Sequence, residues 1–382
     1  MEMAKSGTVT EREAKTRRDL VRLVEFPKKL FRGDKNYVPD MVDSSVSDLM
    51  EKKNPAFEYC RAVNYLAYRD GKLSGTVTCI VNDKANQKFG RKYLTLSHLQ
   101  FTDDDAVVDA LFDAAEAWGR AQGCVAVHGP LGFTDMDPEG MLVEGFDRES
   151  LFITYYNYPY YIRQMERRGY QKETDWIEYR IRIPEKPDER THRISEIVKK
   201  RYHLTAVDLD SRTKPIKELA ADMFAMWNRA YTALFGVVPM TDRQLKKYVS
   251  EFLPMLQGRT TAFVYNEKDE MVGFGITCPS LDHAQQKCGG RMFPLGWAYM
   301  LNALYSKRNT QLDLLLIAVD PAMQGSGVHA VIVDELSRKL CGGQFLYAES
   351  GPMLETNERV HAVFKAYECE QHKRRRCWVK EL

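Results

Sequence analysis

The most chemically specific stretch of the chain is Val319-Asp320-Pro321-Ala322-Met323-Gln324-Gly325-Ser326-Gly327-Val328-His329-Ala330. It lies between an apolar strand-like run and an apolar helical one. A strand that turns directly into a helix aims several backbone N–H groups at one point, at the positive end of the helix dipole. Gly325 and Gly327 permit positive φ and close approach of a ligand. The ligand such a turn suits is a pyrophosphate or another phosphate. No Gly-Lys-Ser/Thr follows, so it is not a P-loop, and the glycines do not have the Gly-x-Gly-x-x-Gly spacing of a dinucleotide fold.

The turn resembles the acyl-CoA-binding turn of the GNAT acetyltransferase superfamily, written Gln/Arg-x-x-Gly-x-Gly/Ala. Gln324, Ser326 and Gly327 fall into that pattern, the Val-x-Pro lead-in matches, and His329 replaces the last small residue. The resemblance implies that Gln324, Gly325, Ser326, Gly327, Val328 and His329 hold the phosphates of acyl-CoA or acetyl-CoA. It also implies a backbone N–H near Ala318 or Val319 facing the thioester carbonyl. Downstream, Asn357, Val360, Phe364, Glu368 and Cys369 keep the spacing of the family's next helix. Asn357 and Phe364 are counted with the donor site; Phe364 stands where many members carry the tyrosine that protonates the departing thiolate.

The likeness spreads over most of the chain. Residues 26–39 (Phe26 to Pro39), Gly129-Pro130-Leu131-Gly132-Phe133, Gly145-Phe146-Asp147, Asn157-Tyr158-Pro159-Tyr160-Tyr161, Gly290-Arg291-Met292-Phe293-Pro294 and Leu354-Glu355-Thr356-Asn357 are similar to a bacterial family of tandem GNAT proteins. That family implies an α+β fold of two GNAT-like lobes about a pseudo-twofold, each a mixed, mostly antiparallel sheet flanked by helices. The implied activity is transfer of an acyl group from acyl-CoA, or a related thioester carrier, to a small-molecule or peptide amine. The alternatives are a Fem-like aminoacyl-tRNA-dependent transferase and a non-enzymatic acyl-CoA-binding or regulatory protein.

Direct acyl transfer needs a neutral amine, a stabilised oxyanion and a leaving thiolate. Glu349, at the end of the strand expected beside Leu312–Val319, and Glu355, just before the helix of Asn357, are the candidate bases. Tyr347 is the candidate acid for the thiolate, with Tyr367 or water as substitutes. For each carboxylate the plainer reading is a solvated charge, and for Phe364 a core aromatic. His283, His329 and His361 are ambiguous in the same way. The cluster Phe152, Tyr155, Tyr156, Tyr158, Tyr160 and Tyr161 reads as packing between lobes. The run Lys373-Arg374-Arg375-Arg376 reads as the solvated face of an edge strand, where charge discourages further sheet pairing.

These residues need elements to hold them, and the same plan occurs twice. Residues 65–81 read as a hairpin turning at Asp70-Gly71, and residues 261–277 as a second one. A helix precedes the second, with Leu219, Met223, Met226, Trp227 and Ala230 on one face. Strand, helix and strand follow each hairpin: 93–101, 106–122 and 125–128, then 311–319, 328–341 and 344–349. Each half closes with a helix and a β segment. Ile183-Pro184-Glu185-Lys186-Pro187 reads as the linker, so the expected units are 1–184, a degenerate lobe, and 185–382, the lobe with the acyl-CoA site. Between Phe101 and its helix the first lobe has only Thr102-Asp103-Asp104-Asp105-Ala106, without glycine and with three acids. Asp103 reads there as the helix cap.

The 382 residues suffice for two cores, and 55 Lys+Arg against 53 Asp+Glu gives a net charge of +2. That balance argues against a general nucleic-acid binder. The apolar runs are too short for a membrane helix. Eight scattered cysteines without Cys-x-x-Cys or paired histidines point to reduced thiols, a cytoplasmic setting and no metal site.

Overall fold

The computed structural model describes residues 7–207, 209, 215–364 and 367–382. Its strands are β1 Val9–Glu13, β2 Cys60–Arg69, β3 Lys72–Asn82, β4 Tyr93–Phe101, β5 Ala126–Gly129, β6 Met141–Glu144, β7 Gln171–Arg182, β8 Thr205–Val207, β9 Thr261–Tyr265, β10 Met271–Pro279, β11 Gln311–Val319, β12 Tyr347–Ser350, β13 Met353–Leu354 and β14 Cys369–Glu381. They form one sheet in the order β1-β2-β3-β4-β5-β14-β7-β12-β11-β10-β9-β8, with β13 on β7 and β6 on β14.

Both expected hairpins form. In the first, Asp70 and Gly71 both have positive φ, at 50° and 76°, the conformation a tight two-residue hairpin needs. Among the described residues each half has a single parallel pair: Tyr93–Thr95 beside Ala126–His128, and Gln311–Leu314 beside Tyr347–Ser350. A helix bridges each pair, Asp105–Ala121 in the first half and Val328–Leu340 in the second. The first lobe's core gathers Leu94, Leu96, Phe101, Leu111 and Phe112. The second lobe has a core on each face of its sheet. One joins Phe224, Trp227, Phe263 and Phe274, and the other joins Val264, Val328, Val331 and Ile332.

The halves exchange strands at their junction. β14, from the second half, is antiparallel to β5 of the first, and β7 of the first half is antiparallel to β12 of the second. β14 and β7 pair with each other from Cys369–Ile181 to Val379–Gln171. The basic tail therefore differs from its expected edge position. It is central, and Lys373 and Arg375 are 1% and 0% exposed. Their charge is matched by Glu178, itself 0% exposed, whose carboxylate lies 3.0 Å from Lys373 Nζ and 2.5 Å from Arg375 Nε. A cation buried with its counterion is tolerated where a lone one is not.

Candidate acyl-transfer site

At the end of β11 the chain makes a single 3-10 turn, Pro321–Met323, capped by Asp320, whose Oδ1 accepts from the Ala322 amide. The other Asp320 oxygen takes Arg229 Nη2 at 3.0 Å, pinning the turn to the helix Ile216–Tyr231. The Ser326 amide and hydroxyl both donate to the Met323 carbonyl. Gly325 and Gly327 have φ of 80° and 93°. A Cβ on Gly327 would stand 2.8 Å from Val198 Cγ2, whereas a Cβ on Gly325 would meet nothing within 4 Å. Gly327 is thus fixed by packing as well as by φ. It opens the helix Val328–Leu340 with no side-chain cap, so the helix keeps the positive end of its dipole for a ligand. Val328 is buried and His329 is exposed on the first turn.

Beside this turn β11 loses a neighbour. Its last rung on the β12 side is the Gly351 amide donating to the Leu314 carbonyl at 3.1 Å. The pairing with β10 skips Leu315, a bulge, and then continues to Val319. Residues 315–319 therefore keep one edge on β10, and among the described residues no strand pairs with the other. Tyr231 Oη donates to the Ile317 carbonyl at 2.8 Å from that open side. Strand alternation then turns the backbone groups of Val319 to the same side and those of Ala318 toward Phe274 of β10.

A band of buried charge crosses the sheet on the face opposite the helix Val328–Leu340. It starts at Asp313, 1% exposed, whose Cα partner on β12 is Glu349. Glu349 Oε2 lies 2.6 Å from His372 Nε2, and Oε1 lies 3.6 Å from Arg180 Nε. Lys373, Glu178 and Arg375 continue the band, and Arg375 Nη1 ends it on the Tyr155 carbonyl. At its other end Gln311 Nε2 links Asp313 to Asp282. Burial, reinforced by Glu149, pushes the Asp282 carboxyl up to about 7. Burial, reinforced by Asp282, raises Asp313 well above the carboxylate range. A cavity of about 560 Å³ opens beside this end, lined among others by Glu149, Asp282, His283, Tyr299 and Gln311. The Gln324–His329 turn at one end of β11, an edge without a strand partner beside it, and a cavity of mixed charge at the other end, by Gln311, thus share one strand.

No family model matches the chain. It is 23% identical over 371 residues to the protein YghO of Escherichia coli strain K12, covering 95% of this chain and 93% of that one. Over 320 residues it is 26% identical to the bacterial ceramide synthase of Caulobacter vibrioides strain NA1000 / CB15N, covering 82% and 80%. A solved tandem GNAT protein from the clavulanic acid biosynthesis pathway, without acetyl-CoA, superposes over 98% of both chains with a TM-score of 0.54 at 12% identity. The chain has the tandem GNAT fold.

Within this tandem GNAT fold an aromatic segment fills the gap in the first lobe. β4 and the chain after β5 part beyond the Leu131 amide's bond to the Leu96 carbonyl at 2.8 Å, and the aromatic segment enters the gap. Tyr161 stacks on Phe101 with ring centroids 4.1 Å apart, the Phe101 amide donates to its hydroxyl, and Tyr160 Oη donates to the Phe101 carbonyl. The three acids after Phe101 are also occupied. Asp104, and not Asp103, caps the helix by accepting from Ala106 and Val107. Asp103 and Asp105 are bound by Gln164, and Asp103 also by Arg163.

The tandem GNAT scaffold does not bring the predicted catalytic residues together. Glu349 is buried in the charged band. Tyr347, two residues earlier on the same strand, is 39% exposed with the Arg180 guanidinium over its ring. Glu355 lies on the far side of β13, held by Lys172 at 2.6 Å and Arg374 at 3.3 Å. Asn357 precedes the helix Glu358–Phe364 and accepts the His361 amide on its carbonyl. Phe364 stacks on Tyr179 at 5.4 Å, and His361 Nε2 donates to the Leu354 carbonyl. The sequence reading missed His372, Asp282, Asp313, Glu178 and the inward role of Lys373 and Arg375. One signal was available for Asp313, a carboxylate inside an otherwise apolar strand. Among the described residues, His128, Glu173 and Cys377 also stand close enough to share an ion. In that group His128 is held by Thr95 and Glu173, and Glu173 by Arg91.

Proposed function

We propose that the chain transfers an acyl group from acyl-CoA, acetyl-CoA included, to the nitrogen of an amine. The second lobe holds the donor, with Gln324–His329 around its phosphates and its acyl arm along the open edge of β11. From Leu315 to Val319 that edge runs ~13 Å at a strand rise of about 3.3 Å per residue, room for an extended arm. A backbone N–H on this edge, that of Val319 or of Ile317, is placed to stabilise the oxyanion as the amine attacks the thioester carbonyl. Glu349 takes the amine proton, directly or through Asp313 or a water, and becomes neutral; passed on to His372 Nε2, 2.6 Å away, that proton makes an imidazolium. The leaving thiolate takes its proton from water, because Tyr347 pairs with Gln311, ~20 Å from Ile317 along β11 at about 3.3 Å per residue. We give Glu355 a structural role, because two cations hold it on β7 and β14.

The observation that carries the reading is the Gln324–His329 turn, with its uncapped helix, leading straight onto an edge of β11 that has no strand partner among the described residues. The cavity is of mixed charge, with Glu149 and Asp282 beside Lys287 and Arg308, and its two carboxyl groups suit an acceptor that arrives as an ammonium ion and must lose a proton before it reacts. The acceptor we favour is a long-chain amino alcohol, because a relative aligned over 82% of this chain is named a ceramide synthase, and ceramide is the N-acyl product of such an amine. All eight cysteines are free, which suits a reducing cytoplasm.

Thermal-shift titration with CoA, acetyl-CoA and a long-chain acyl-CoA tests donor binding, and thiol release on adding amines tests transfer. A bound donor raises the melting temperature by mass action. Glu349→Gln is expected to keep that shift and to lower turnover by about 10²–10⁴. No shift with any CoA species would remove the basis for the reading. A shift without release on any amine would favour an acyl-CoA-binding protein.

A further inference from the structure

The loop and helix between β10 and β11 expose apolar side chains that the proposed chemistry does not use. Phe293 is 76% exposed, Leu295 59%, Trp297 48%, Leu301 48% and Tyr305 63%. Trp297, Leu301 and Tyr305 follow one another at four-residue intervals along the helix Gly296–Tyr305, so they form a single outward stripe. The inward side is well seated: Leu304 is buried against Leu281 and Cys278, with Met300 and Ala303 packed beside it. Trp297 Nε1 donates to the Pro294 carbonyl at 3.0 Å, tying the exposed loop to the helix as one surface. The Val42 amide donates to Gly290 O at 2.8 Å and anchors the base. Soluble surfaces rarely carry a contiguous apolar patch of this kind without a partner.

Charge indicates which partner. From His283 to Leu312 the sequence has no Asp or Glu, while Lys287, Arg291, Lys307 and Arg308 flank the patch on both sides. Arg291 is paired with Glu25. No ion pair to Lys287, Lys307 or Arg308 occurs among the described residues, and all three are exposed. An aromatic and aliphatic stripe edged by cations, with no acid in its own segment, matches a bilayer with anionic headgroups: the apolar side chains enter the acyl boundary and the cations stay at the phosphates. Among the described residues no helix is long and apolar enough to cross a membrane, so the contact is one of surface docking.

We infer that residues 292–305 dock the protein on an anionic lipid bilayer. The same helix lines the cavity with Tyr299, Asn302 and Ala303, and Lys287 and Arg308 stand at its wall. A docked chain holds that cavity beside the membrane surface. Docking is measured without donor or acceptor, so its success or failure is independent of the acyl-transfer reading.

The test is co-sedimentation of the full chain with vesicles of phosphatidylglycerol and, separately, of phosphatidylcholine, alongside sedimentation velocity without lipid. Binding to phosphatidylglycerol vesicles is expected, weaker at high salt and weaker still on phosphatidylcholine. Phe293→Ser/Leu301→Ser is expected to lower the partition coefficient at least about tenfold, since each side chain leaves the acyl boundary. Lys307→Gln/Arg308→Gln is expected to lower it severalfold on the anionic vesicles alone. An unchanged melting temperature shows that the variants fold. Absence of binding to phosphatidylglycerol, or equal binding by Phe293→Ser/Leu301→Ser, overturns the inference. So does a concentration-dependent dimer that this variant dissociates without any vesicle binding, because the face would then belong to a second copy.

Discussion

Replacing Glu178 by Gln tests the buried band where the two halves meet. Glu178, Lys373 and Arg375 are each 1% exposed or less, and the carboxylate is the anion that faces both cations most closely. Burial alone would raise the Glu178 pKa, but Arg375 and Lys373 outweigh it and hold the carboxyl at about 2. An unfolded glutamate titrates near 4.3. A carboxyl whose folded pKa is depressed adds stability that is present above the unfolded value and lost as pH falls through the folded one. The gap corresponds to roughly 3 kcal/mol at neutral pH. Gln keeps the volume and removes the charge, leaving two cations in the sheet, for which loss of about 3–5 kcal/mol is typical. Urea unfolding at pH 7, followed by tryptophan fluorescence and circular dichroism, should therefore show a much lower midpoint for Glu178→Gln. The difference from the parent should shrink as pH falls from 4 toward 2. Glu178→Met/Lys373→Met/Arg375→Met should recover most of the loss, because an apolar trio of similar volume needs no counterion. A Glu178→Gln midpoint within about 1 kcal/mol of the parent, unchanged between pH 7 and pH 3, would refute the reasoning.

Three further outcomes are expected. Gly327→Ala should abolish the thermal shift with CoA, since Cβ meets Val198 at 2.8 Å, while Gly325→Ala, strained in φ but unobstructed, should weaken it only about tenfold or less. The raised pKa of Asp282 means that the protonated carboxyl stabilises the fold below the unfolded range near 4, and that this contribution is lost as pH rises toward 7. Between pH 5 and 7 the parent should thus lose on the order of 1 kcal/mol per pH unit relative to Asp282→Asn, read as diverging melting temperatures. Tyr161→Phe removes the hydroxyl that accepts from the Phe101 amide and donates to Gln100, and should cost about 1–3 kcal/mol in chemical denaturation without altering the CoA shift.

What could be read from the sequence followed its range of interaction. Hairpins, the Gly325–Gly327 turn and the doubled plan depend on residues close to one another, and each stands where its pattern indicates. The tail did not, because a run of Lys and Arg resembles a wet edge when its counterions are out of sight. Glu178 and Asp175, which neutralise residues 373–376, lie about two hundred positions earlier. Asp103 and Asp104 are equally good caps by type, and only the pairing of Asp103 with Arg163 and Gln164 separates them. The acids at 282 and 313 become one site only when β10 and β11 lie side by side.

The exchange of strands also sets a clock on synthesis. β5 has one neighbour in β4, and its other neighbour, β14, lies some 240 residues further on. At 5–20 residues per second, the ribosome leaves that edge open for roughly 10–50 s. During this interval the first lobe carries an unfinished sheet whose backbone donors and acceptors are available to any passing strand. A nascent chain stalled before residue 369 would be aggregation-prone although its first lobe is fully translated. The seam that makes the finished molecule one sheet thus makes the growing one dependent on protection until both halves exist.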